Sequence, residues 1–422
     1  MKVTSPRLFD WTGSPPASKS VLNRLLILRS FERHLEVAGE SDCEDVLAMR
    51  AALQEFERAR AAGENEATLE CGAAGAVLRF LAPRVAREPG RWFLTGDARL
   101  FARPQAGLIA SLGQLGVSAG PSGGGLLVQS ETGWRKPASP VSVDRATSSQ
   151  FASGLALSSC DLPFNLEMKW TGGAIVSDGY WEMSAELLRA RGIEIKEEAG
   201  GAFIRRGQAL HPGRVSAEPD VSSAFALAAL AAVGGHARLI GFPFGGLQPD
   251  LAFAGLLRAM GARAERVGDD LVVEAPPDGL RALPEARLTD APDLFPVLAV
   301  LCAYADGVSC LVGAPHLAHK ESSRIESTLR LLRLVGARAE PIEGGMRVVG
   351  MGLSVREPAE EMSERAFEPE NDHRLAMAAA VVNLARERRG EPPIRILHPE
   401  VVGKSFPGFW DVVNAGRKRA RA

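Results

Sequence analysis

Three stretches of the chain repeat one pattern: LLRARGIEI at residues 187–195, LLRAMGARA at residues 256–264 and LLRLVGARA at residues 331–339. In each stretch a helical Leu-Leu-Arg run reaches a Gly, and strand-like residues follow. Gly tolerates the left-handed conformation that closes a helix, so each stretch predicts a helix end followed by a strand. A weaker copy, ASLGQLGVS, occupies residues 110–118.

The copies recur at a nearly constant spacing. Their glycines, Gly116, Gly192, Gly261 and Gly336, are 76, 69 and 75 residues apart. Each copy precedes a Gly- or Asp-rich hairpin signal and a further strand. A period of about 70 residues divides the chain into roughly six α/β units. We therefore predict two lobes of three units with a small-molecule site in the cleft between them. The alternative is a single α/β domain whose helix ends resemble one another by coincidence.

Composition excludes several classes of protein. The chain has 422 residues, 46% hydrophobic and 24% charged, and its net charge of -2 gives no field that would attract nucleic acid or an anionic membrane. Its five cysteines show neither a C-x-x-C pair nor a His partner at metal-ligand spacing, so we expect no metal site and no disulfide framework. Residues 1–20 lack the apolar region of a signal peptide, and the apolar run at 294–305 is too short to span a bilayer. We expect a soluble, cytoplasmic protein.

Lysine is rare in this chain, which contains eight lysines against 41 arginines (49 − 8). Three of the eight, Lys19, Lys320 and Lys404, lie in short motifs together with Ser, Glu or Arg. A lysine ammonium is compact and can exchange its proton, whereas an arginine keeps its proton. These motifs therefore predict anion binding or proton transfer. Compositional drift toward Arg, with a few lysines left by chance, is the alternative.

Motifs in the N-terminal half favour anion binding at helix starts and rigid loops. Lys19 opens an apolar helix, where free amides and the helix dipole attract carboxylate or phosphate. Gly75 opens another helix and would let backbone amides approach an anion closely. Pro104 keeps Arg103 out of a helical conformation. A further motif is Ser148-Ser149-Gln150. Each motif also has an ordinary explanation as a cap or a packing site.

Motifs in the C-terminal half contain more cations together with carboxylates. Lys320 and Arg324 are four residues apart, which predicts one shared helical face with Glu321 turned aside. Two cations so placed repel unless an anion lies between them. The other motifs of this half contain Asp293, Asp372, His373, Arg374 and Lys404.

Taken in order from Ser18 to Pro407, these motifs resemble the enolpyruvyl transferases of the EPSP synthase family. The resemblance implies a two-lobed inside-out α/β barrel built from six βαβαββ-type repeats, three per lobe. It also implies one lobe at residues 17–218 with the acceptor-binding motifs, a second lobe at 1–16 plus 219–422, and an active site in the cleft between them.

The resemblance also implies an activity, the family's transferase reaction in the shikimate pathway. The enolpyruvyl (carboxyvinyl) group of phosphoenolpyruvate would pass to the 5-hydroxyl of shikimate 3-phosphate by addition and elimination, releasing phosphate. It implies no metal and no organic cofactor, no nucleic-acid or membrane partner, a monomer, and inhibition by glyphosate in competition with phosphoenolpyruvate.

The family's site residues carry over to this chain position by position. Lys19, Asp293, Glu321 and Lys320 are the implied catalytic residues, with Asp293 as the base at the hydroxyl and Glu321 as the acid toward C3. The implied phosphoenolpyruvate ligands are Lys19, Gly75, Arg103, Gln150, Arg324, Arg374 and Lys404. The implied shikimate 3-phosphate ligands are Ser20, Arg24, Ser148, Ser149, Gln150, Ser177, Tyr180, Asp293, His316 and Lys320. Arg79, Asp220 and Asp372 resemble a salt-bridge set that closes the lobes.

The chain departs from the family pattern in three places. Ala73-Ala74-Gly75-Ala76 stands where the family usually has Asn-Ala-Gly-Thr, and Asp178-Gly179 replaces a usual Lys-Pro. Both changes would weaken anion binding. His316 replaces a usual Asn and can still donate to a phosphate, with a dependence on pH.

Three alternatives remain at the level of the sequence. Transfer to a nucleotide sugar is disfavoured because the loop at residues 95–104 has no cysteine. A related transferase with a different acceptor is suggested by Ala73, Asp178 and His316. A ligand-binding paralogue without activity is disfavoured by the presence of Lys19, Asp293 and Glu321.

Overall fold

The computed structural model describes residues 7–198, 200–354 and 365–421. Two compact units divide the chain. The first unit is Ala17–Glu218, and the second unit is Met1–Pro16 together with Pro219–Ala422. Within the described ranges no helix is both long enough and apolar enough to cross a membrane.

The strands are short, with two to six residues each. In chain order they are β1 (Phe9–Gly13), β2 (Leu35–Ala38), β3 (Glu66–Glu70), β4 (Gly90–Thr95), β5 (Ser118–Ser122), β6 (Gly125–Ser130), β7 (Val141–Asp144), β8 (Leu166–Thr171), β9 (Ile195–Glu198), β10 (Gly201–Ile204), β11 (Gly213–Ser216), β12 (Gly235–Leu239), β13 (Arg263–Val267), β14 (Asp270–Glu274), β15 (Ala286–Arg287), β16 (Val308–Val312), β17 (Arg338–Ile342), β18 (Gly345–Val349), β19 (Ala366–Phe367) and β20 (Arg395–Ile396).

The helices alternate with these strands. They are α1 (Lys19–Arg29), α2 (Glu44–Ala61), α3 (Gly75–Val85), α4 (Ala98–Ala102), α5 (Ala106–Gln114), α6 (Ser149–Leu157), α7 (Asp178–Arg189), α8 (Val221–Gly234), α9 (Phe253–Ala259), α10 (Phe295–Ala303), α11 (Arg324–Leu334), α12 (His373–Arg388) and α13 (Phe409–Arg421). Short 3-10 helices occupy Pro249–Ala252, Pro292–Leu294, Pro315–His319 and Pro399–Lys404.

The same four-stranded sheet recurs twice in each unit. A first strand runs parallel to a second, and a hairpin adds its two strands antiparallel, so the spatial order is first, second, fourth, third. The sheets of the first unit are β3-β4-β6-β5 and β7-β8-β10-β9, and those of the second unit are β1-β12-β14-β13 and β15-β16-β18-β17. In three of these sheets a helix follows each of the two parallel strands, which gives the βαβαββ order. In the sheet that contains β1, the residues of the first unit come between β1 and α8 in the chain.

Each unit also contains a parallel pair of strands without a hairpin. These pairs are β2 with β11 in the first unit and β19 with β20 in the second. After β2 and after β20 the chain enters a long helix, α2 or α13. In the other repeats a hairpin follows the corresponding helix, but among the described residues none follows α2 or α13. Four repeats are therefore complete among the described residues, and two are reduced to their βα elements.

One helix of each repeat, which leads into a strand of the parallel pair, is buried on almost all sides. In the second unit these helices are α8, α10 and α12, which pack against one another, and every residue of α8 and of α10 is buried. A helix that is apolar around its whole circumference belongs in a core. In the first unit α1, α3 and α6 pack in the same way.

The glycines of the repeated pattern adopt the predicted conformation. Gly116, Gly192, Gly261 and Gly336 have φ between 78° and 90° and lie two or three residues beyond the ends of α5, α7, α9 and α11. Each is followed by the first strand of a hairpin. The prediction of helix end, turn and strand is therefore confirmed at all four copies.

Candidate active site

The predicted site residues divide between the two units. Those of the first unit are Lys19, Ser20, Arg24, Gly75, Arg79, Arg103, Ser148, Ser149, Gln150, Ser177 and Tyr180. Those of the second unit are Asp220, Asp293, His316, Lys320, Glu321, Arg324, Asp372, Arg374 and Lys404.

Asp293 is the centre of the set in the second unit. Its Oδ1 accepts a hydrogen bond from Arg324 Nη1 at 2.6 Å and lies 3.8 Å from Lys320 Nζ. Its Oδ2 accepts from Arg374 Nη2 at 3.1 Å. The short helix Pro292–Leu294, which precedes the buried α10, holds Asp293 in place. Three cations thus converge on one carboxylate of the chain itself, a pairing that the sequence motifs did not predict.

These cations determine the protonation of Asp293. Burial raises the pKa of Asp293, but Arg374, Arg324 and Lys320 together hold it well below its usual range. Burial lowers the pKa of Arg324, whereas Asp372, Asp293 and Glu321 raise it well above its ordinary value. Opposite charges that share a buried site favour each other's charged forms. The cluster is therefore an ion-pair network at neutral pH.

The local prediction for Lys320, Glu321 and Arg324 is wrong in two respects. Helix α11 begins at Arg324 itself, and Lys320 precedes it with an extended backbone, so the two cations do not share a helical face. Glu321 is not turned aside, because its Oε2 lies 3.0 Å from Arg324 Nη2 and its Oε1 lies 3.7 Å from Lys404 Nζ. The anion between Lys320 and Arg324 is the chain's own Asp293.

Asp372 is the buried counter-ion of Arg324. It is completely buried, and its Oδ2 accepts from Arg324 Nε at 2.8 Å and from Ser322 Oγ at 3.0 Å. Its Oδ1 caps α12 by accepting from the backbone N–H of Arg374 at 3.0 Å. One carboxylate thus fixes both the guanidinium of Arg324 and the start of the helix that carries Arg374.

Arg374 is buried and is held by a neutral group as well as by Asp293. Its Nη2 donates to Ser222 Oγ at 2.6 Å, and Ser222 Oγ donates in turn to Asp220 Oδ1 at 2.6 Å. Burial lowers the pKa of Arg374, but Asp293 and then Asp220 raise it above its ordinary value overall. Asp220 therefore acts on Arg374 at a distance, through Ser222.

Two further predicted residues of this unit lie on short 3-10 helices. His316 belongs to Pro315–His319 and is 7% exposed, and Lys404 ends Pro399–Lys404 and is 4% exposed. Both side chains are buried, although polar side chains usually lie at the surface. Lys404 joins the cluster through Glu321.

Lys19 of the first unit is paired with a carboxylate that the sequence motifs did not single out. Its Nζ lies 2.6 Å from Asp45 Oδ2, and the two side chains are 12% and 9% exposed. Lys19 is the first residue of α1, and Asp45 lies in the first turn of α2. Asp45 resembled an ordinary acidic residue at a helix start, so no local signal distinguished it.

Among the described residues, Arg24 donates its hydrogen bonds to neutral oxygens. It donates from Nε to Ser184 Oγ at 2.7 Å, from Nη1 to the Ser20 carbonyl at 2.8 Å and from Nη2 to the Tyr180 carbonyl at 2.8 Å. Burial lowers the pKa of Arg24 to about 10, with Tyr180 acting in the opposite direction. Arg24 brings the predicted acceptor residues Ser20 and Tyr180 together by joining α1 to α7.

Gly75 and Arg103 lie in direct contact. A methyl group at Gly75 would lie 2.7 Å from Arg103 Nη1 and 3.0 Å from its Cζ. Arg103 follows α4 in an extended conformation (φ −73°, ψ 150°), as Pro104 predicted. The start of α3 is capped by Ala74, which makes no side-chain cap bond, in line with the loss of polar groups in this motif. Only a glycine gives the guanidinium this much room.

Arg79 organises the Ser148-Ser149-Gln150 motif. Its Nη1 donates to Gln150 Oε1 at 2.9 Å and to Ser148 Oγ at 3.3 Å, and its Nε donates to Gln105 Oε1 at 3.1 Å. Ser148 caps α6 by accepting from Gln150 N at 3.2 Å. Arg79 is 4% exposed and therefore supports the motif from inside the unit.

Ser177 lies on a strained turn that a neighbouring ion pair holds in place. Its φ is 55°, which is uncommon for a residue with a side chain. The next residue, Asp178, accepts from Arg145 Nη2 at 2.6 Å, and Arg145 is 1% exposed and packs against the indoles of Trp170 and Trp181. Asp178, a departure from the family pattern, thus has a partner of its own.

Comparison with known proteins identifies the family. The family model described as EPSP synthase (3-phosphoshikimate 1-carboxyvinyltransferase) matches residues 14–413. A 3-phosphoshikimate 1-carboxyvinyltransferase of Methanocorpusculum labreanum is 32% identical over 421 residues, covering 93% of each chain. Proteins of the same name from Methanopyrus kandleri and Mycobacterium ulcerans are each 30% identical, covering 95% and 88% of this chain and 94% and 88% of their own.

Solved structures confirm the predicted fold class. EPSP synthase from Acinetobacter baumannii superimposes with a TM-score of 0.72 at 22% identity, covering 98% of this chain and 96% of that chain. The enolpyruvyl transferase NikO from Streptomyces tendae gives a TM-score of 0.72 at 16% identity, covering 98% and 95%. The predicted resemblance is confirmed as well: this chain belongs to the EPSP synthase family of transferases.

Proposed function

We propose that this chain transfers the carboxyvinyl group of phosphoenolpyruvate to the 5-hydroxyl of shikimate 3-phosphate and releases phosphate. The observation that carries the proposal is Asp293, a carboxylate held by Arg324 and Arg374 beside Lys320. The names of the curated relatives give the same reaction and do not favour a different acceptor or a chain without activity.

The substrates are strongly anionic, and the cations of both units suit them. Phosphoenolpyruvate carries a carboxylate and a phosphate, and shikimate 3-phosphate carries another of each. Arg324 and Arg374 present planar guanidinium groups, which match a carboxylate. Lys19, Arg103 and Lys404 supply further positive charge for the phosphate. Location of the active site between the two units, and closure by Arg79, Asp220 and Asp372, are part of this proposal and stay predictions.

The acceptor side of the proposal rests on the hydroxyl and amide groups of the first unit. Ser148, Ser149 and Gln150 start α6, where backbone amides also favour a phosphate. Ser20 and Tyr180 are tied together by Arg24, and Ser177 lies beside Asp178. These groups can bind the phosphate and hydroxyls of shikimate 3-phosphate without adding net charge.

Asp293 requires a change of partners before it can act as a base. Its hydrogen bonds to Arg324 and Arg374 keep its pKa low, and a base of low pKa accepts a proton poorly. The carboxylate of phosphoenolpyruvate would take over these two arginines and leave Asp293 free to accept the proton of the 5-hydroxyl. In this way substrate binding itself would activate the base.

The reaction then follows from the placement of the acid and the base. The 5-hydroxyl gives its proton to Asp293 and its oxygen bonds to C2 of the enol. C3 takes a proton from Glu321, which must first be protonated when substrate replaces it on Arg324 and Lys404, and a tetrahedral adduct forms. Glu321 then takes a proton back from C3 as the bond between C2 and the phosphate oxygen breaks, which restores the double bond. The proton held by Asp293 goes to the released phosphate. Lys19, Lys320 and Lys404 would stabilise the charge on the leaving group.

A phosphate-release assay with both substrates tests the proposal. Wild-type protein should release phosphate only when shikimate 3-phosphate is present, and Asp293→Asn should lower kcat by about a hundred- to ten-thousandfold, the range expected for loss of a general base. Asp269→Asn is the control, because Asp269 is 89% exposed on a hairpin of the same unit. A folded wild-type protein without acceptor-dependent phosphate release would reject the function.

The monomeric state and cytoplasmic location stay predictions, which sedimentation and fractionation would test.

A further inference from the structure

Ser222 connects Arg374 and Asp220, to which the family resemblance gives separate roles: Arg374 as a phosphoenolpyruvate ligand and Asp220 in lobe closure. Its Oγ accepts a hydrogen bond from Arg374 Nη2 at 2.6 Å and donates one to Asp220 Oδ1 at 2.6 Å. Arg374, Ser222 and Asp220 are 2%, 8% and 2% exposed. The three groups form a buried chain from a cation through a neutral hydroxyl to an anion.

The backbone around Ser222 is anchored on both sides. Asp220 caps α8 by accepting from Ser223 N at 2.7 Å, and the Asp220 N–H donates to the Pro16 carbonyl at 2.8 Å. Gln248 accepts from Val221 N at 2.9 Å and donates to the Pro219 carbonyl at 2.7 Å. Ser222 is therefore a fixed acceptor, whose position does not depend on Arg374.

Capping alone does not explain this arrangement. The cap of α8 is complete with the bond from Ser223 N to Asp220, and it requires nothing of the Ser222 side chain. The hydroxyl instead bonds to a guanidinium that is 152 positions away in the sequence. A hydroxyl that accepts from a cation while donating to a carboxylate is polarised in the direction that strengthens both bonds.

Arg374 thus has one permanent partner and one that substrate would replace. Under the proposed function, the substrate carboxylate takes the place of Asp293 on Arg374, whereas Ser222 keeps its bond. We infer that Ser222, oriented by Asp220, is a positioning residue that holds Arg374 in the geometry for binding the carboxylate of phosphoenolpyruvate. This inference rests on the proposed function and gives Asp220 a role at Arg374.

Two adjacent serines allow a matched test. Ser222→Ala removes the acceptor from Arg374, whereas Ser223→Ala makes the same change one residue later, at a buried hydroxyl for which the described residues provide no hydrogen-bond partner. We expect Ser222→Ala to raise the KM for phosphoenolpyruvate roughly tenfold or more, as for loss of a hydrogen bond to a charged group, with the KM for shikimate 3-phosphate within twofold of wild type. Ser223→Ala should leave both constants near wild type.

Two conservative variants separate positioning from packing. Ser222→Thr keeps the hydroxyl and should keep the KM for phosphoenolpyruvate near wild type. Ser222→Cys keeps the size of the side chain but offers a weak acceptor, so it should behave like Ser222→Ala. The thermal midpoints of Ser222→Ala and Ser222→Cys should fall by similar amounts, because both leave Arg374 and Asp220 without a buried hydrogen bond. A purely structural role would not raise the KM for phosphoenolpyruvate alone.

Three outcomes would overturn the inference. These are an unchanged KM for phosphoenolpyruvate in Ser222→Ala and Ser222→Cys, an equal rise in Ser223→Ala, or an equal rise in the KM values of both substrates. If Ser222→Ala does not fold, Ser222→Cys and Ser222→Thr give the same comparison. Failure of the proposed function is distinct, since the wild-type protein itself would then release no acceptor-dependent phosphate.

Discussion

Buried arginines of the two units sit in opposite electrostatic surroundings. In the first unit Arg24 donates to one hydroxyl and two carbonyls, and burial lowers its pKa to about 10. In the second unit Arg324 contacts Asp293, Glu321 and Asp372, and these carboxylates raise its pKa well above the ordinary value. The side chains have the same chemistry and nearly the same burial, at 2% and 1% exposure.

The difference shows how one residue type serves two purposes. Neutral partners fix Arg24 permanently, because nothing in a substrate would replace a backbone carbonyl that belongs to the fold. The carboxylate partner of Arg324 and Arg374 can be exchanged, since the carboxylate of a substrate would accept the same hydrogen bonds as Asp293. Under the proposed function, Arg324 and Arg374 of the second unit bind substrate, whereas Arg24 of the first unit joins α1 to α7.

Replacing each arginine by leucine should produce the largest contrast. Arg324→Leu leaves three carboxylates in a buried cluster without their main counter-ion, which should cost about 3–5 kcal/mol of unfolding free energy at neutral pH. Arg24→Leu leaves neutral acceptors unpaired and should cost about 1–3 kcal/mol. Urea denaturation of both variants at pH 7 measures this difference.

The pH dependence of these losses should also differ. The depressed pKa of Asp293 means that its ion pairs stabilise the wild-type fold fully above its unfolded value of 3.8 and lose that effect as the pH falls through the lower folded value. The loss caused by Arg324→Leu should therefore shrink as the pH falls below about 4, while the loss caused by Arg24→Leu stays constant. Parallel behaviour of the two variants would contradict the electrostatic contrast.

Local signals predicted the repeats, whereas tertiary pairing decided the site. The Gly after each Leu-Leu-Arg run fixes a helix end by its own backbone freedom, so Gly192 and Gly261 could be interpreted without any partner. Glu321 could not, because its direction depends on Arg324 and Lys404. The charged residues of the cluster were found in the sequence, but which carboxylate lies between which cations is a property of the folded unit.

Residues that orient the predicted site residues were missed for a related reason. Ser222 follows Asp220 at a helix start, where Ser and Asp are common caps, and this ordinary explanation concealed its bond to Arg374. Arg145 looked like one of many arginines, and its contacts with two indoles and with Asp178 arise only in the folded chain. Sequence patterns identify groups that carry charge more easily than the groups that orient them.

Gly75→Ala extends the comparison to Arg103 of the first unit, whose guanidinium lies close to Gly75. The added methyl would lie 2.7 Å from Arg103 Nη1, so the guanidinium must move, although an alanine in the first turn of α3 does not weaken the helix. We expect the KM for phosphoenolpyruvate to rise roughly tenfold and inhibition by glyphosate to weaken, with no loss of thermal stability.

Gly113→Ala is the control for that substitution. Gly113 lies in α5 of the same unit, and an added methyl there meets nothing within 4 Å. Steady-state kinetics and inhibition curves of both variants provide the measurement. Wild-type inhibition in Gly75→Ala would show that this glycine does not border the site of phosphoenolpyruvate.

Asp178→Asn should have the smallest effect, because its ion pair with Arg145 is only partly shielded from water. Asp178 is 59% exposed, so the lost charge should cost less than about 1 kcal/mol of stability, whereas Arg145 is 1% exposed and keeps its contacts with Trp170 and Trp181. Ser177, one residue earlier in its left-handed turn, should become less well ordered. We expect the KM for shikimate 3-phosphate to rise by about two- to fivefold, with no change for phosphoenolpyruvate.

Glu182→Gln is the matched variant for Asp178→Asn. Like Asp178, Glu182 lies on α7 and pairs with an arginine: its carboxylate is 2.8 Å from Arg189 Nη1, and its side chain is 48% exposed. It should leave both KM values unchanged, since it lies away from the turn at Ser177. If the two variants behave alike, the pair between Arg145 and Asp178 is a surface contact of no consequence for the acceptor. If only Asp178→Asn affects shikimate 3-phosphate, then the first unit, like the second, uses a carboxylate to orient a group that binds substrate, and it does so through the backbone turn.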